Sequence, residues 1–173
     1  MNALLGTVDA SDQRLAERVR AWTPPRWFRM WMIAATRFGD GSGWAAIGVG
    51  VMAYGPRGRA AAAATAAALL ASATFMAIKR SCRRRRPCDV APHPLFHVHP
   101  PDAFSFPSGH TMNAFAIATV LALRFPALSP GLLLLAASIG ASRVVLGLHF
   151  ASDAWAGAVL GALLGWGAAL ACP

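Results

Sequence analysis

The sequence contains few charged residues, and few of these are acidic. Charged residues make up 13% of the 173 positions, whereas soluble globular domains average about 25%. Hydrophobic residues make up 56%. This balance argues against a soluble domain and is typical of a membrane protein, and the length allows one domain.

Cysteine is also scarce. Cys82, Cys88 and Cys172 are too few for a disulfide framework. Cys82 and Cys88 could pair if their loop faces an oxidising compartment, and two free thiols are the alternative. Spacing alone does not decide between them.

The residues that could bind a metal are not grouped in a recognisable ligand pattern. Asp89 and Asp102 are isolated in a loop, so no acidic cluster suits Mg²⁺. His93, His97 and His99 could be interpreted as a metal site, but they lie among prolines and no cysteine or carboxylate completes a convincing set. We therefore expect no metal and no cofactor.

Positive charge is concentrated in one run. The net charge is +9, and residues 79–86 read KRSCRRRR. A basic cluster beside an apolar segment usually contacts anionic lipid headgroups. Nucleic acid is the other common partner of such a run, but the apolar remainder of the chain argues against it.

Residues 1–40 are predicted to form an interfacial amphipathic segment that precedes a domain at residues 41–173. Asp9, Ser11 or Asp12 could cap a short surface helix that ends near Ala21. Residues 26–38 are too few to span about 30 Å of hydrocarbon alone, and their tryptophans and arginines suit the interface.

Five apolar segments follow, which predict an all-α polytopic membrane bundle with about five transmembrane helices, or six if residues 26–38 join a span. The predicted spans are Trp44–Tyr54, Ala60–Ile78, Ser108–Leu123, Phe125–Ser142 and Ala154–Cys172. Gly157, Gly161 and Gly165 form a stripe suited to close helix packing. Counting spans places the loop at residues 79–107 on the same side as residues 143–153.

Ionisable residues at the ends of these spans favour a functional site on that side. His149 and Asp153 are four residues apart, so they share a face if the last helix begins near His149. The carboxylate would then hold one ring nitrogen as N–H and leave the other basic. A structural ion pair at a helix end is the alternative.

Pro107-Ser108-Gly109-His110 lies where a loop enters the third predicted span. Backbone N–H groups at a helix start bind anions, and glycine permits close approach. His110 could donate a proton to a leaving oxygen. An ordinary capped helix start explains the same residues.

Together these segments resemble the type 2 phosphatidic acid phosphatase superfamily, the lipid phosphate phosphatases. The first motif, Lys-x6-Arg-Pro, corresponds to Lys79 through Pro87, and the second, Pro-Ser-Gly-His, to residues 107–110. The third, Ser-Arg-x5-His-x3-Asp, corresponds to residues 142–153. All three occur in order, and the resemblance covers roughly residues 60–172.

The resemblance implies a phosphohistidine mechanism that needs no metal. It assigns nucleophilic attack to His149, protonation of the leaving oxygen to His110 and orientation of the nucleophile to Asp153. The residues that it assigns to binding phosphate are Lys79, Arg86, Ser108, Gly109 and Arg143. Arg80, Arg83, Arg84 and Arg85 are not motif positions, and we expect them to gather headgroups or to form a solvated collar.

The resemblance also implies a bacterial inner membrane location with the site facing the extracytoplasmic side. Undecaprenyl diphosphate is the first candidate substrate; phosphatidylglycerophosphate, phosphatidic acid, lipid A and prenyl-phosphoribose phosphates are alternatives. A vanadate-dependent haloperoxidase shares the phosphate-pocket motifs but resembles larger soluble proteins. A non-catalytic transporter or scaffold would be expected to lose His110, His149 or Asp153.

Overall fold

The computed structural model of the protein describes residues 2–53, 58–91 and 102–172. Within these ranges all regular structure is helical, which confirms the predicted all-α class. The helices are α1 (Asn2–Ala21), α2 (Arg26–Gly39), α3 (Ser42–Ala53), α4 (Gly58–Cys82), α5 (Pro87–Val90), α6 (Gly109–Arg124), α7 (Ser129–Val145) and α8 (Ala151–Ala171).

Each predicted span coincides with a helix, namely α3, α4, α6, α7 or α8. In the described part of the chain, three stretches are long and apolar enough to cross a membrane: Gly58–Val90, Pro126–Val145 and Ala151–Ala171. Helix α3 is apolar but shorter. The count of five spans therefore stays a prediction.

Helix α6 lies at the centre of the bundle and packs against α4, α7 and α8. Ala114, Ala116, Ala118 and Val120 are fully buried, although alternate residues of a helix point to nearly opposite sides. A helix that is buried all round belongs in a core. Because α6 starts at Gly109, the centre of the bundle leads directly to the second motif.

The glycine stripe of α8 packs against the backbone of α6, as predicted. A Cβ atom at Gly161 would lie 2.2 Å from the carbonyl oxygen of Met112. A Cβ atom at Gly157 would lie 2.6 Å from the carbonyl oxygen of Ser108. The absence of side chains at these positions permits the close approach, and it sets α8 beside the start of α6.

The outer surface of the helices is apolar. Large hydrophobic side chains on the outward faces of α4, α7 and α8, and in the last turn of α6, are exposed, including Leu69, Leu70, Met76, Leu123, Leu134, Trp155, Leu163, Trp166 and Leu170. In water such a surface would favour aggregation. In a bilayer it contacts lipid, which agrees with a membrane bundle.

The N-terminal helices differ from the sequence expectation in detail. Helix α1 begins at Asn2, so Asp9, Ser11 and Asp12 do not cap it, and Asp12 is buried. Helix α2 ends before a turn at Gly41, where φ is 110°, and therefore does not continue into α3. Helix α2 packs against α7, and α1 packs against α7 and α8. The interfacial role of residues 1–40 stays a prediction.

Candidate active site

Two loops and the ends of four long helices, namely α4, α6, α7 and α8, meet on one side of the bundle. The Ser105 N–H donates to the carbonyl of Arg84 at 2.8 Å, and the Ser108 N–H donates to the carbonyl of Asp153 at 3.0 Å. The Arg86 guanidinium donates to the Leu148 carbonyl at 2.8 Å. The described parts of the loop at residues 79–107 thus lie beside residues 143–153, as span counting predicted.

A tight turn joins α7 to His149. The N–H groups of Leu148 and His149 both donate to the carbonyl of Arg143 at 3.0 Å, and Gly147 adopts a φ of 71°. Helix α8 begins at Ala151 and not at His149. The sequence argument from a shared helical face was therefore wrong in its geometry, since His149 lies in the turn before the helix.

His149 and Asp153 nevertheless meet. The Asp153 carboxylate accepts the N–H of Phe150 at 2.8 Å, which is the first N–H at the start of α8. This cap places its Oδ2 atom 3.7 Å from Nδ1 of His149. That separation is too long for a hydrogen bond, and Nδ1 has no other partner among the described residues.

Arg86 defines the protonation of the imidazole. Its Nη1 lies 3.2 Å from Nε2 of His149. A guanidinium can only donate, so Nε2 carries the lone pair and Nδ1 carries the proton. This is the tautomer that a nucleophilic Nε2 requires. The lone pair of Nε2 is therefore directed toward the Arg86 guanidinium.

His149 is held in its neutral form. Only 2% of the residue is exposed. Burial lowers the pKa of His149 to about 3, and the nearby cations Arg86 and Arg143 act in the same direction, while Asp153 opposes them. The ring is therefore unprotonated at neutral pH and able to act as a nucleophile.

Two of the predicted phosphate-binding cations share one carboxylate. Lys79 and Arg86 are buried at 6% and 1% exposure. Nζ of Lys79 lies 2.5 Å from Oδ2 of Asp102, and Nη2 of Arg86 binds Oδ1 of the same residue. Arg86 also donates from Nε to the Asp102 carbonyl at 3.2 Å. The loop thus places a carboxylate where we expected a substrate anion.

Arg143 is a third buried cation, with 5% of the residue exposed. Nη1 donates to the hydroxyl of Thr36 on α2 at 2.5 Å. Nε has no hydrogen-bond partner in the described part of the chain. Buried donors are nearly always paired, so a guanidinium N–H in this position fits a bound anion.

The second motif forms the start of α6, as predicted. Ser108 is the N-cap residue and is fully buried, and its hydroxyl accepts from Thr111 at 2.9 Å. Gly109 faces the ring of Phe75, which a Cβ atom would approach to 3.0 Å. The first N–H groups of a helix lack intrahelical acceptors, so this end of α6 suits an anion.

His110 has a partner that the sequence did not reveal. Its Nε2 lies 2.7 Å from Oδ1 of Asp40, in the turn between α2 and α3. A carboxylate can only accept, so Nε2 of His110 carries a proton. His110 and Asp40 are 70 residues apart, and neither composition nor motif spacing pairs them.

The position of Arg84 also differs from the sequence prediction. We expected it to gather headgroups or to lie in a solvated collar. Instead, Nη1 donates to Oδ1 of Asp153 and to the Ser152 hydroxyl, both at 2.8 Å. Nη2 donates to Asp9 at 2.6 Å and to Asp12 at 2.9 Å. Arg84 thus connects α1 to the carboxylate beside His149.

A cavity of ≈ 170 Å³ reaches His149 from the side of α1. Its lining is mostly apolar and includes Leu15, Val19, Val90 and Val144. The cavity therefore offers a mostly apolar surface beside His149, and its charged lining residues are Asp12, Glu17 and Arg20.

The candidate metal ligands His93, His97 and His99 lie outside the described residues. In the described ranges no three His, Cys, Asp or Glu side chains are grouped to hold a metal. Cys82 and Cys88 are free thiols.

Comparisons with known proteins converge on one family. The model of the PAP2 superfamily matches residues 60–172. Decaprenylphosphoryl-5-phosphoribose phosphatase of Mycolicibacterium smegmatis is 38% identical over 122 residues, which are 69% of this chain and 66% of that protein. This chain thus spans just under two thirds of that relative.

Two solved structures share the fold. The PAP2 type phosphatidylglycerolphosphate phosphatase from Bacillus subtilis superimposes with a TM-score of 0.75 at 29% identity, covering 94% of this chain and 84% of that one. LpxE of Aquifex aeolicus gives a TM-score of 0.76 at 25% identity, covering 90% and 92% of the two chains. Both alignments include most of the bundle.

Proposed function

The chain belongs to the PAP2 superfamily, and on that premise we propose that it is an integral-membrane phosphatase that hydrolyses a lipid phosphate through a phosphohistidine intermediate. The observation that carries the proposal is the geometry of His149. A buried, neutral imidazole presents Nε2 to the Arg86 guanidinium at 3.2 Å, and a carboxylate lies beside Nδ1.

In the first step, Nε2 of His149 attacks phosphorus and the bond from phosphorus to the lipid oxygen breaks. His110 gives a proton to the departing oxygen, and Asp153 stabilises the positive charge that develops on the imidazole of His149. In the second step, water attacks phosphorus, the nitrogen–phosphorus bond breaks, and His110 recovers a proton. Phosphate leaves and His149 is neutral again.

Fixed positive charge stabilises the transition state. Lys79, Arg86 and Arg143 are buried, so their charges act in a region of low dielectric constant and need little reorganisation. The start of α6 at Ser108 and Gly109 adds backbone donors. These groups supply the electrostatic stabilisation in this proposal, which includes no metal or other cofactor.

The membrane bundle and the relatives support a proposal for the substrate class. An apolar cavity adjoins His149, which supports a substrate with an apolar portion. We propose a polyprenyl-linked phosphate, with undecaprenyl diphosphate as one candidate. The similarity to a decaprenylphosphoryl-5-phosphoribose phosphatase favours a phosphorylated polyprenyl sugar as the second. We place the enzyme in a bacterial inner membrane with the site on its extracytoplasmic side.

The test measures phosphate release by detergent-purified protein in EDTA, with vanadate as inhibitor. The substrate panel contains undecaprenyl diphosphate, a decaprenylphosphoryl-phosphoribose phosphate, phosphatidylglycerophosphate, phosphatidic acid and lipid A. His149→Gln should abolish turnover and trapping of phosphorylated enzyme while the protein stays monodisperse. His97→Gln, which changes a histidine that the mechanism does not use, is the matched control.

Full turnover by His149→Gln would refute the mechanism. Loss of activity in EDTA that zinc or magnesium restores would refute the metal-free proposal. Oxidation of bromide in the presence of vanadate, without phosphate release, would instead identify a haloperoxidase.

A further inference from the structure

We propose that Arg84 and Asp12 are positioning residues that hold the nucleophile through Asp153, so that α1 is part of the working site. This inference rests on the proposed function. Arg84 is not a motif position, and α1 lies outside residues 60–172, which the family model matches. The arrangement therefore extends beyond the three motifs.

The first step of the argument is the contact with Asp153. This carboxylate is fully buried. Oδ2 is occupied by the Phe150 N–H at 2.8 Å and lies 3.7 Å from His149, while Oδ1 accepts from Arg84 at 2.8 Å. A buried carboxylate that has lost its water requires such charged donors. Without Arg84, Oδ1 would lose its charged partner and Asp153 could rotate away from the imidazole.

The second step is what holds Arg84. Its guanidinium stacks on the ring of Phe150, 4.2 Å from the centroid. Nη2 binds Asp9 and Asp12 of α1, at 2.6 and 2.9 Å. Asp12 is itself buried. Arg84 therefore cannot turn toward solvent without leaving a buried carboxylate unpaired, which is costly.

The third step links Asp12 to the start of α8. Oδ1 of Asp12 accepts the Ser152 N–H at 3.1 Å, and Oδ2 binds the Ser152 hydroxyl. Asp12 thus satisfies an orphan N–H in the first turn of α8, and Asp153 satisfies the one at Phe150. Two carboxylates and one guanidinium fix the turn that carries His149. A solvated basic collar does not explain these contacts.

The experiment compares Arg84→Gln and Asp12→Asn with Arg83→Gln, in full-length protein. Arg83 belongs to the same basic run and its side chain is exposed. The readouts are kcat, the inhibition constant for inorganic phosphate, and the rate of His149 phosphorylation in a single turnover. In the proposed mechanism phosphate binds to Lys79, Arg86 and Arg143 and forms no bond to the resting imidazole, so its inhibition constant separates an intact pocket from a misplaced nucleophile.

Arg84→Gln is expected to lower kcat and the phosphorylation rate by about tenfold or more, as loss of a charged hydrogen bond to a buried group does. The inhibition constant for inorganic phosphate should change less than about threefold, since direct phosphate contacts remain. Arg84→Lys should restore part of kcat. Asp12→Asn should act in the same direction, and the double variant should be no worse than Arg84→Gln, because both act through Asp153.

Unchanged kcat in Arg84→Gln would overturn the inference, and so would an equal fall in Arg83→Gln. Weakening of phosphate binding in parallel with kcat would also overturn it, since the role would then be structural. These outcomes differ from failure of the proposed function, in which the unmodified protein itself would show no phosphorylation at His149.

Discussion

Asp102→Asn should make the site bind phosphate and vanadate more tightly. The Asp102 carboxylate bridges Lys79 and Arg86, the two cations that we assign to the substrate. Burial raises the pKa of Asp102, but hydrogen bonds from Lys79 and Arg86 outweigh it and hold the pKa below its ordinary value. The carboxylate is therefore ionised at neutral pH, and a substrate anion has to displace it.

The magnitude follows from the exposure of the bridge. The Asp102 side chain is 39% exposed, so each ion pair is screened and contributes about 0.2–1 kcal/mol. Two pairs give about 0.4–2 kcal/mol. Removing this competition lowers the inhibition constant by about twofold to thirtyfold. Asparagine keeps the size of the side chain and removes its charge.

The assay is competitive inhibition of phosphate release by vanadate and by inorganic phosphate at fixed ionic strength. Glu17→Gln removes one negative charge from an exposed position on α1 and serves as the control. It should leave both constants unchanged. Weaker binding by Asp102→Asn would refute the reasoning, because it would show that the carboxylate organises the cations and does not compete for them. An unchanged inhibition constant would show that displacing Asp102 from the two cations costs no binding free energy.

Three further predictions concern packing, pH and proton transfer. Gly161→Ala should lower the free energy of unfolding by about 1–3 kcal/mol or more, measured as a lower melting temperature in detergent. Gly167→Ala is the control, because a Cβ atom there meets nothing within 4 Å. Equal effects of the two substitutions would contradict the packing argument. The pKa of His149 is held at about 3, below its ordinary value of about 6.5. Its contribution to stability should therefore be complete above about pH 6.5 and decline as the pH falls toward 3. Titration of His149 should accordingly add no acid limb to the pH profile of kcat/KM near pH 6.5. Asp40→Asn should lower kcat for an alkyl phosphate more than for p-nitrophenyl phosphate, whose leaving group needs no proton; an equal loss on both substrates would show that Asp40 does not act through His110.

Much of the bundle could be predicted from local pattern. Apolar runs marked five helices, and the spacing of Gly157, Gly161 and Gly165 marked the face of α8 that meets α6. These features depend on residues close in sequence, whose periodicity reports burial directly. The start of α1 was misplaced because Asp9 and Asp12 resemble capping residues. Their partners lie on distant segments, and local pattern cannot show that.

Site residues divide in the same way. The sequence by itself determined that His149, Asp153, His110 and the cations fall in three motifs on one side of the helices. Only the tertiary structure decided what each of them touches. His149 lies in a turn and not on the helix, and Asp153 reaches it because that carboxylate caps the start of α8.

The partners of the motif residues come from segments with no motif of their own. Asp40 binds His110, Asp102 bridges the phosphate cations, and Asp12 holds Arg84 against Asp153. Each contact joins residues brought together by the tertiary fold, at sequence separations of 16 to 72 positions. Motif spacing determines which chemistry the chain carries, because the reacting groups are fixed by type and order. The packing of α1, α2 and the loop segment that carries Asp102 decides how those groups are charged and oriented, and whether a carboxylate competes with the substrate for them. Electrostatic and hydrogen-bond energies depend on distance in space.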